Sequence, residues 1–474
     1  MSLARWLAVL SLPLMLGACN ALPTIVPDLA RKAPVQVEGA GGPLTPAQSK
    51  AVLQRLQASG KPTSIFDRHL AFEEAVTGTP LSTGNRVTLL IDGPATYKAM
   101  FQAIRNARDH INLETYILED DAVGQEFADA LIARQRDGVQ VNLLYDSVGT
   151  LGVKKEFFQQ FRDAGVRTLE YNPVNPVAAK AGWDVNERDH RKLLIVDGRT
   201  AFVGGINISS VYEGGSFSKR SGRSGGSAGG GSSSGGDDRD KKASEMPWRD
   251  THMQVDGPVV ADFQRMFIGT WTQQKGEPLA PRQYFPPLKP AGDDVVRAIG
   301  SSPKDPYSLI YATLISAIDA AESDILITVA YFVPDPQLVD ALKAAAARGV
   351  KVKIVVPGKT DSGLVFHAGR ASYDELLAGG VRIFERKGAL LHSKTALIDG
   401  VWATVGSTNL DWRSFLHNLE VNAVVLGPAF GRQLRVLFDR DVAESNEITL
   451  EAWRDRGIGP RIRETLSKAW EYWL

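Results

Sequence analysis

The chain has 474 residues, with 54 Lys and Arg against 54 Asp and Glu, a formal net charge of zero and a 43% hydrophobic share. This is the composition of a soluble globular protein with length for two or three domains; it lacks the broad basic footprint of a dedicated nucleic-acid binder, although a neutral total leaves room for a local basic patch. Its single cysteine, Cys19, excludes an intramolecular disulfide and any Cys-based zinc site or nucleophile elsewhere.

In chain order, Arg5 precedes an apolar run over 6–16 that is too short to span a bilayer comfortably and reads as a signal peptide. The run ends in Leu16-Gly17-Ala18-Cys19, which resembles the lipobox of bacterial lipoproteins. That resemblance implies a leader over 1–18, a lipid anchor on Cys19, and a place in the cell envelope on a membrane surface facing the periplasm. The plainer readings are an ordinary signal peptide, or a buried helix in which Cys19 is incidental. No later stretch has the long uncharged apolar run of a membrane-spanning helix.

Residues 19–84 are rich in Pro, Ala and Gly and read as a tether and packing arm, with an amphipathic helix over 46–58. A regular alternation follows, with helical patterns over 99–107 and 125–136 leading into strands over 111–118 and 139–145. The same order returns later, with helices over 310–321 and 337–348 and strands over 325–333 and 350–356. This is α/β patterning in a duplicated chain. Domain 1 is expected over 85–280 and domain 2 over 281–474, with a Pro-rich boundary at 278–290. Only the first carries a Gly/Ser segment, over 215–245, which reads as a disordered surface loop.

The chemistry sits in a repeated motif: His190-x-Lys192 with Asp197 and then Asn207, and His392-x-Lys394 with Asp399 and then Asn409, every offset being 202 residues. Residues two apart on a strand share a face, so each imidazole gains an ammonium neighbour. Histidine serves as nucleophile or proton donor near neutral pH, and lysine offers three donors and a positive charge to phosphate oxygens. Two such pairs face to face would surround one phosphorus. Asp197 and Asp399 each open an Asp-Gly pair, so both a turn and a place in the site stay open for them. Asn207 and Asn409 are read either as phosphate donors or as helix caps. His69, His110, His252 and His417 are taken as structural, and His367 is left open between the two.

A histidine acting as nucleophile or acid needs a carboxylate to fix its tautomer. Asp250 in the first half and Glu420 in the second are the candidates. Their offset of 170 falls 32 short of 202, as an insertion the length of the Gly/Ser segment in the first half would produce.

These motifs, with the Gly-Gly-x-Asn and Gly-Ser-x-Asn elements that follow them, resemble the phospholipase D superfamily. Tyr116 and the segment Trp248-Arg249-Asp250-Thr251 look most like bacterial cardiolipin synthases. The resemblance implies two α-β-α sandwich domains in one chain, active as a monomer with the site at their interface. It also implies phosphatidyl transfer through a covalent phosphohistidine, with His190 as nucleophile and His392 as acid and then base. Lys192, Lys394, Asn207 and Asn409 would hold the phosphate. Neither metal nor cofactor is expected, and the partners are phospholipids and not nucleic acid. The leading reaction is cardiolipin formation from phosphatidylglycerol. The alternatives are a phospholipase D that releases phosphatidic acid and a periplasmic nuclease or phosphodiesterase of the same superfamily. The lipobox and the Gly/Ser segment depart from the resembled family.

Overall fold

The computed structural model describes residue 25 and residues 35–175, 183–215 and 246–471. The expected leader over 1–18, Cys19 and all but the first residue of the Gly/Ser segment lie outside the described residues.

Each half is a mixed sheet with helices on both faces. In the first half, Arg167–Tyr171, Gln140–Asp146 and His110–Thr115 run parallel, and antiparallel strands continue the sheet through Lys192–Val196, Thr200–Gly204, His252–Asp256 and Leu81–Leu90. The second half repeats this order with Arg382–Arg386, Lys351–Pro357, Asp324–Val329, Lys394–Ile398, Trp402–Gly406, Asn418–Leu426 and Asp294–Ser301. The parallel neighbours are joined by crossover helices, Ala122–Arg136 in one half and Pro336–Ala347 in the other, as parallel pairing requires. Asp121 and Asp335 cap these helices, accepting from the backbone N–H groups of Gly124 and Leu338.

Three apolar cores follow from this layering. One fills the outer face of the first sheet, around Phe101, Phe127, Leu131 and Phe161. One fills the outer face of the second, around Ile315, Ile327, Leu342 and Ile354. The third lies between the halves and draws Phe263 and Phe267 from the helix Val260–Gln273 together with Phe430 and Leu434 from Pro428–Ala443. Burying apolar surface from both halves in one core fixes their relative placement, and with it any site shared between them.

The arm has more structure than its composition indicates. Its helix Pro46–Ala58 carries a capping box at Thr45 and Gln48. A further helix, Leu70–Thr77, packs on Leu309–Ala320 of the second half, so the arm crosses over the half it precedes. Glu73 anchors it there. Its buried carboxylate pairs with Arg297 at 2.5 Å and accepts from Trp402 Nε1 at 3.1 Å. The ten-residue strand Leu81–Leu90 then runs through the expected boundary at 85. Its Arg86–Leu90 end pairs with His252–Asp256, and Ser82 and Asn85 pair with Val296 and Asp294, which makes the two sheets continuous. Among the described residues, no helix is long and apolar enough to cross a membrane.

Candidate active site

The motif strands Lys192–Val196 and Lys394–Ile398 are runs of buried apolar residues at the centre of each sheet, a pattern suited to strands covered on both faces. Each begins with its lysine and is preceded by its histidine. His190 is held by a two-residue strand, Arg188–Asp189, which pairs in parallel with Asn418 and Leu419 of the other half; the His190 N–H donates to Leu419 O at 3.0 Å. The mirror arrangement joins Trp248–Arg249 to Leu390–Leu391, and the His392 N–H donates to Arg249 O at 2.8 Å.

This pairing brings the two acids to the histidines, and it does so crosswise. His190 Nδ1 lies 3.0 and 3.1 Å from the Glu420 carboxylate oxygens, and His392 Nδ1 lies 2.7 Å from Asp250 Oδ2. Each imidazole is therefore oriented by a carboxylate from the opposite half. With Nδ1–H donating to the acid, Nε2 carries the free lone pair when the ring is neutral. The residue between His and Lys also reaches across: Arg191 Nε donates to Glu420 O at 3.1 Å, and Ser393 Oγ donates to Thr251 Oγ1 at 2.8 Å. Buried ion pairs brace both approach strands. Arg188 meets Asp146 at 3.5 Å, while Asp441 takes Arg249 at 2.7 Å and Arg386 at 3.0 Å.

The lysines face the same centre. Lys192 Nζ donates to His190 O at 2.6 Å, and Lys394 Nζ lies 3.0 Å from His392 Nδ1 and donates to His392 O. Each ammonium also disfavours the charged form of the histidine of the other half. Burial dominates their titration. It lowers His190 to about 4 against the pull of Glu420, and it lowers Lys192 to about 7 and Lys394 to about 8. Burial, followed by Lys394, lowers His392 as well. Burial pushes the two acids up, but their imidazole and ammonium neighbours outweigh it and hold both carboxyls below the usual range. The resting site is thus two ionised carboxylates with neutral imidazoles, beside ammonium groups whose charge an incoming anion would stabilise.

The Gly-Gly and Gly-Ser elements have distinct jobs. A Cβ on Gly205 would meet Asp250 Oδ1 at 2.3 Å, so only glycine lets that carboxylate close on His392. At the matching position, Ser407 donates its hydroxyl to Glu420.

The asparagines differ. Asn207 spends its amide on scaffolding, with Oδ1 accepting from Ile117 N at 3.2 Å and Nδ2 donating to the Tyr212 hydroxyl at 3.1 Å. Asn409 keeps a buried Oδ1 with no hydrogen-bond partner among the described residues.

Asp197 and Asp399 are not at the centre. They sit at the far ends of the five-residue motif strands, roughly 16 Å of extended chain from the lysines. Both adopt the left-handed conformation, with φ of 53° and 52°, ahead of a glycine that does the same, a turn that reverses the chain into the next strand. Asp197 accepts the backbone N–H groups of Arg108, Asp109 and His110, and Asp399 those of Glu322, Ser323 and Asp324. Their place among the catalytic candidates is therefore corrected: each ties its motif strand to the start of the neighbouring strand. Asp399→Ala should cost roughly 1–3 kcal/mol of stability, the scale of stranded buried donors, with turnover per folded molecule unchanged. Denaturant melts alongside active-fraction kinetics check this, and a large loss of kcat in fully folded protein would contradict it.

Aromatic side chains stand against both imidazoles. Tyr116 stands edge-on to His190 at 5.1 Å between ring centres, and Trp248, Tyr212 and Tyr331 lie 5.0, 6.1 and 6.3 Å from His392. Tyr212 and Tyr331 escaped the sequence reading. Tyr331 lies one residue past the position equivalent to Tyr116, since Thr115 pairs with Lys192 and Val329 with Lys394, and Tyr212 has no aromatic echo in the second half. Among the described residues, no group of three or more His, Cys, Asp or Glu is arranged to hold a metal ion.

Two histidines converging from repeated sandwiches, each with a lysine two residues on and a carboxylate behind it, define the phospholipase D class of enzyme. Comparison with known proteins narrows the class. The family model described as "Cardiolipin synthase, PLD-like domain" matches residues 100–212 and 314–442. A cardiolipin synthase of Alkalihalophilus pseudofirmus is 34% identical over 392 residues, covering 82% of this chain and 72% of that protein. Cardiolipin synthase A of Pseudomonas fluorescens is 34% identical over 396 residues, covering 82% and 76%. Among solved structures, the phosphatidylserine synthase of Haemophilus influenzae shares the fold, with a TM-score of 0.59 at 13% identity over 85% of this chain and 99% of that one. The chain belongs to the cardiolipin synthase family of phospholipase D-like proteins and is a phosphatidyltransferase of that type.

Proposed function

We propose that this protein transfers a phosphatidyl group from one phosphatidylglycerol to another, forming cardiolipin and releasing glycerol. The crossed His–carboxylate pairs carry the chemistry, and the kinship with cardiolipin synthases supports the substrate. Neutral His190 attacks phosphorus through Nε2 while Glu420 holds Nδ1–H. The bond from phosphorus to the head-group glycerol oxygen breaks, and that oxygen takes a proton from Nε2 of His392, which is neutral in the resting site and takes this proton up from solvent as the anionic phosphate enters beside it. In the second step, His392 removes the proton from the hydroxyl of a second phosphatidylglycerol, whose oxygen displaces His190 from phosphorus. The Lys192 and Lys394 ammonium groups offset charge on the non-bridging oxygens throughout.

Incubation with phosphatidylglycerol vesicles should yield cardiolipin and glycerol in equal amounts by thin-layer chromatography and glycerol assay. Phosphatidic acid as the sole lipid product would overturn transfer in favour of hydrolysis.

The lipobox-like Leu16-Gly17-Ala18-Cys19 supports a second part of the reading, an envelope lipoprotein facing the periplasm, and the supply of both histidines and both acids by one chain supports its working as a monomer. Metabolic palmitate labelling that disappears in Cys19→Ser is the expected result, and unchanged labelling refutes the anchor.

A further inference from the structure

The C-terminal helix Ile458–Lys468 packs on the helix Gly363–Arg370 with its polarity reversed. The buried residues on its protein side are Glu464 and Ser467, and Glu464 takes both arms of Arg456, at 2.6 and 3.1 Å. Its outward side carries Ile458, Ile462 and Leu466, which are 74%, 54% and 65% exposed, and Trp470, just past the last turn, is 53% exposed. Spacing of four residues sets them in one stripe, opposite the packed face. Exposed Arg461 and Lys468 flank the stripe on one side and Arg463 on the other. Single exposed apolar residues are ordinary on a protein surface, whereas three in a line on one helix, with a fourth just past its end, mark a contact.

The size and charge of the stripe indicate what covers it. Four such side chains offer on the order of 500 Å², short of the roughly 800 Å² per partner of a stable protein interface. An apolar stripe with cations on both margins, ending in an exposed tryptophan, matches the gradient of an anionic bilayer surface from acyl chain to headgroup phosphate.

We propose that the helix Ile458–Lys468, with Trp470, lays its apolar stripe into an anionic lipid surface, with Arg461, Arg463 and Lys468 meeting headgroup phosphates. The helix it packs on begins two residues after Asp361, which accepts from the Tyr331 hydroxyl at 2.7 Å, and the Tyr331 ring lies 6.3 Å from that of His392. Lipid contact here holds the paired histidines beside the bilayer that contains their substrate. That purpose rests on the phosphatidyl-transfer reading, but the docking is tested without turnover.

The test uses the full chain carrying Cys19→Ala, so that no lipid anchor contributes, and co-sedimentation with large vesicles of phosphatidylglycerol or phosphatidylcholine. Ile462→Asp/Leu466→Asp should lower partition onto phosphatidylglycerol vesicles by about tenfold or more. Arg461→Glu/Arg463→Glu should lower it by about tenfold, with little effect on phosphatidylcholine. Thermal melts confirm that the variants fold, and Ile462→Ala/Leu466→Ala serves as the milder pair should the aspartates fail to. Partition unchanged in a folded double variant overturns the proposal. So does a lipid-free dimer of the parent that Ile462→Asp/Leu466→Asp dissociates, which would assign the stripe to a second copy of the chain.

Discussion

Glu420→Gln should lower turnover by about 10³–10⁴-fold, the scale seen when an amide replaces the carboxylate that orients a catalytic histidine, although Glu420 lies 230 residues from the ring it serves. The amide keeps the shape of the side chain but cannot hold Nδ1–H with a full charge, so the Nε2 lone pair is no longer assured. Asp250→Asn should act equally on His392. The crossing gives this expectation its specificity. Adding Glu420→Gln to His190→Ala should cost little more than His190→Ala alone, because the two form one functional unit. Nitrogen NMR of the histidine rings supplies a direct readout: Glu420→Gln should disturb the tautomer of His190 and leave that of His392, and Asp250→Asn should do the reverse. Disturbance of the histidine in the same half as the substituted acid would show that the partners are not crossed.

Lys192→Met should lower kcat/KM by about 10²–10³-fold, as expected when one preorganised donor to the developing charge is lost, yet it should not lower the melting temperature at pH 7. Burial holds Lys192 at about 7 and Lys394 at about 8, far under the ordinary lysine value. Between those values and the unfolded value near 10.4, the unfolded chain binds more protons than the native one, so the lysine contribution to stability rises with pH across that window. Methionine removes both the desolvation cost and its share of the slope. Catalysis runs the other way: the ammonium form is the useful one, so kcat/KM of the wild type should fall as pH rises through 7 to 8, and Lys192→Arg should move that limb upward. Melting curves and kinetics from pH 6 to 10 check both signs. A Lys192→Met variant that is strongly destabilised at pH 7, or a wild-type profile flat through pH 9, would contradict this reading.

Much of this site was legible before any coordinates. The offset of 202 residues marked His190, Lys192, His392 and Lys394 as equivalent pairs, and the strands they head repeat at that spacing. The helix expected over 337–348 is observed at Pro336–Ala347, because apolar periodicity and a capping Asp335 agree locally.

What local patterning cannot encode is partnership. The offset of 170 between Asp250 and Glu420 identifies two equivalent acids, but equivalence under a pseudo-two-fold does not say whether each faces its own histidine or the other; the parallel pairing of Arg188–Asp189 with Asn418 and Leu419 decides it. The destination of the arm was hidden for the same reason. Its Pro and Gly content reads as a tether, whereas its place is set by the long-range pair of Glu73 with Arg297. Asp197 and Asp399 show the converse error. Recurrence within a motif drew them towards catalysis, while the Asp-Gly turn signature at the same positions already named their role.

Rapid-quench mass spectrometry of the proposed covalent intermediate, with peptides kept at mildly alkaline pH where a phosphorus–nitrogen bond survives, tests the shared site most directly. The predicted result is a phosphatidyl adduct on His190 of the first half whose formation slows by at least about 10³-fold when Glu420 of the second half becomes Gln. An adduct that forms at the wild-type rate in Glu420→Gln would contradict the crossed architecture.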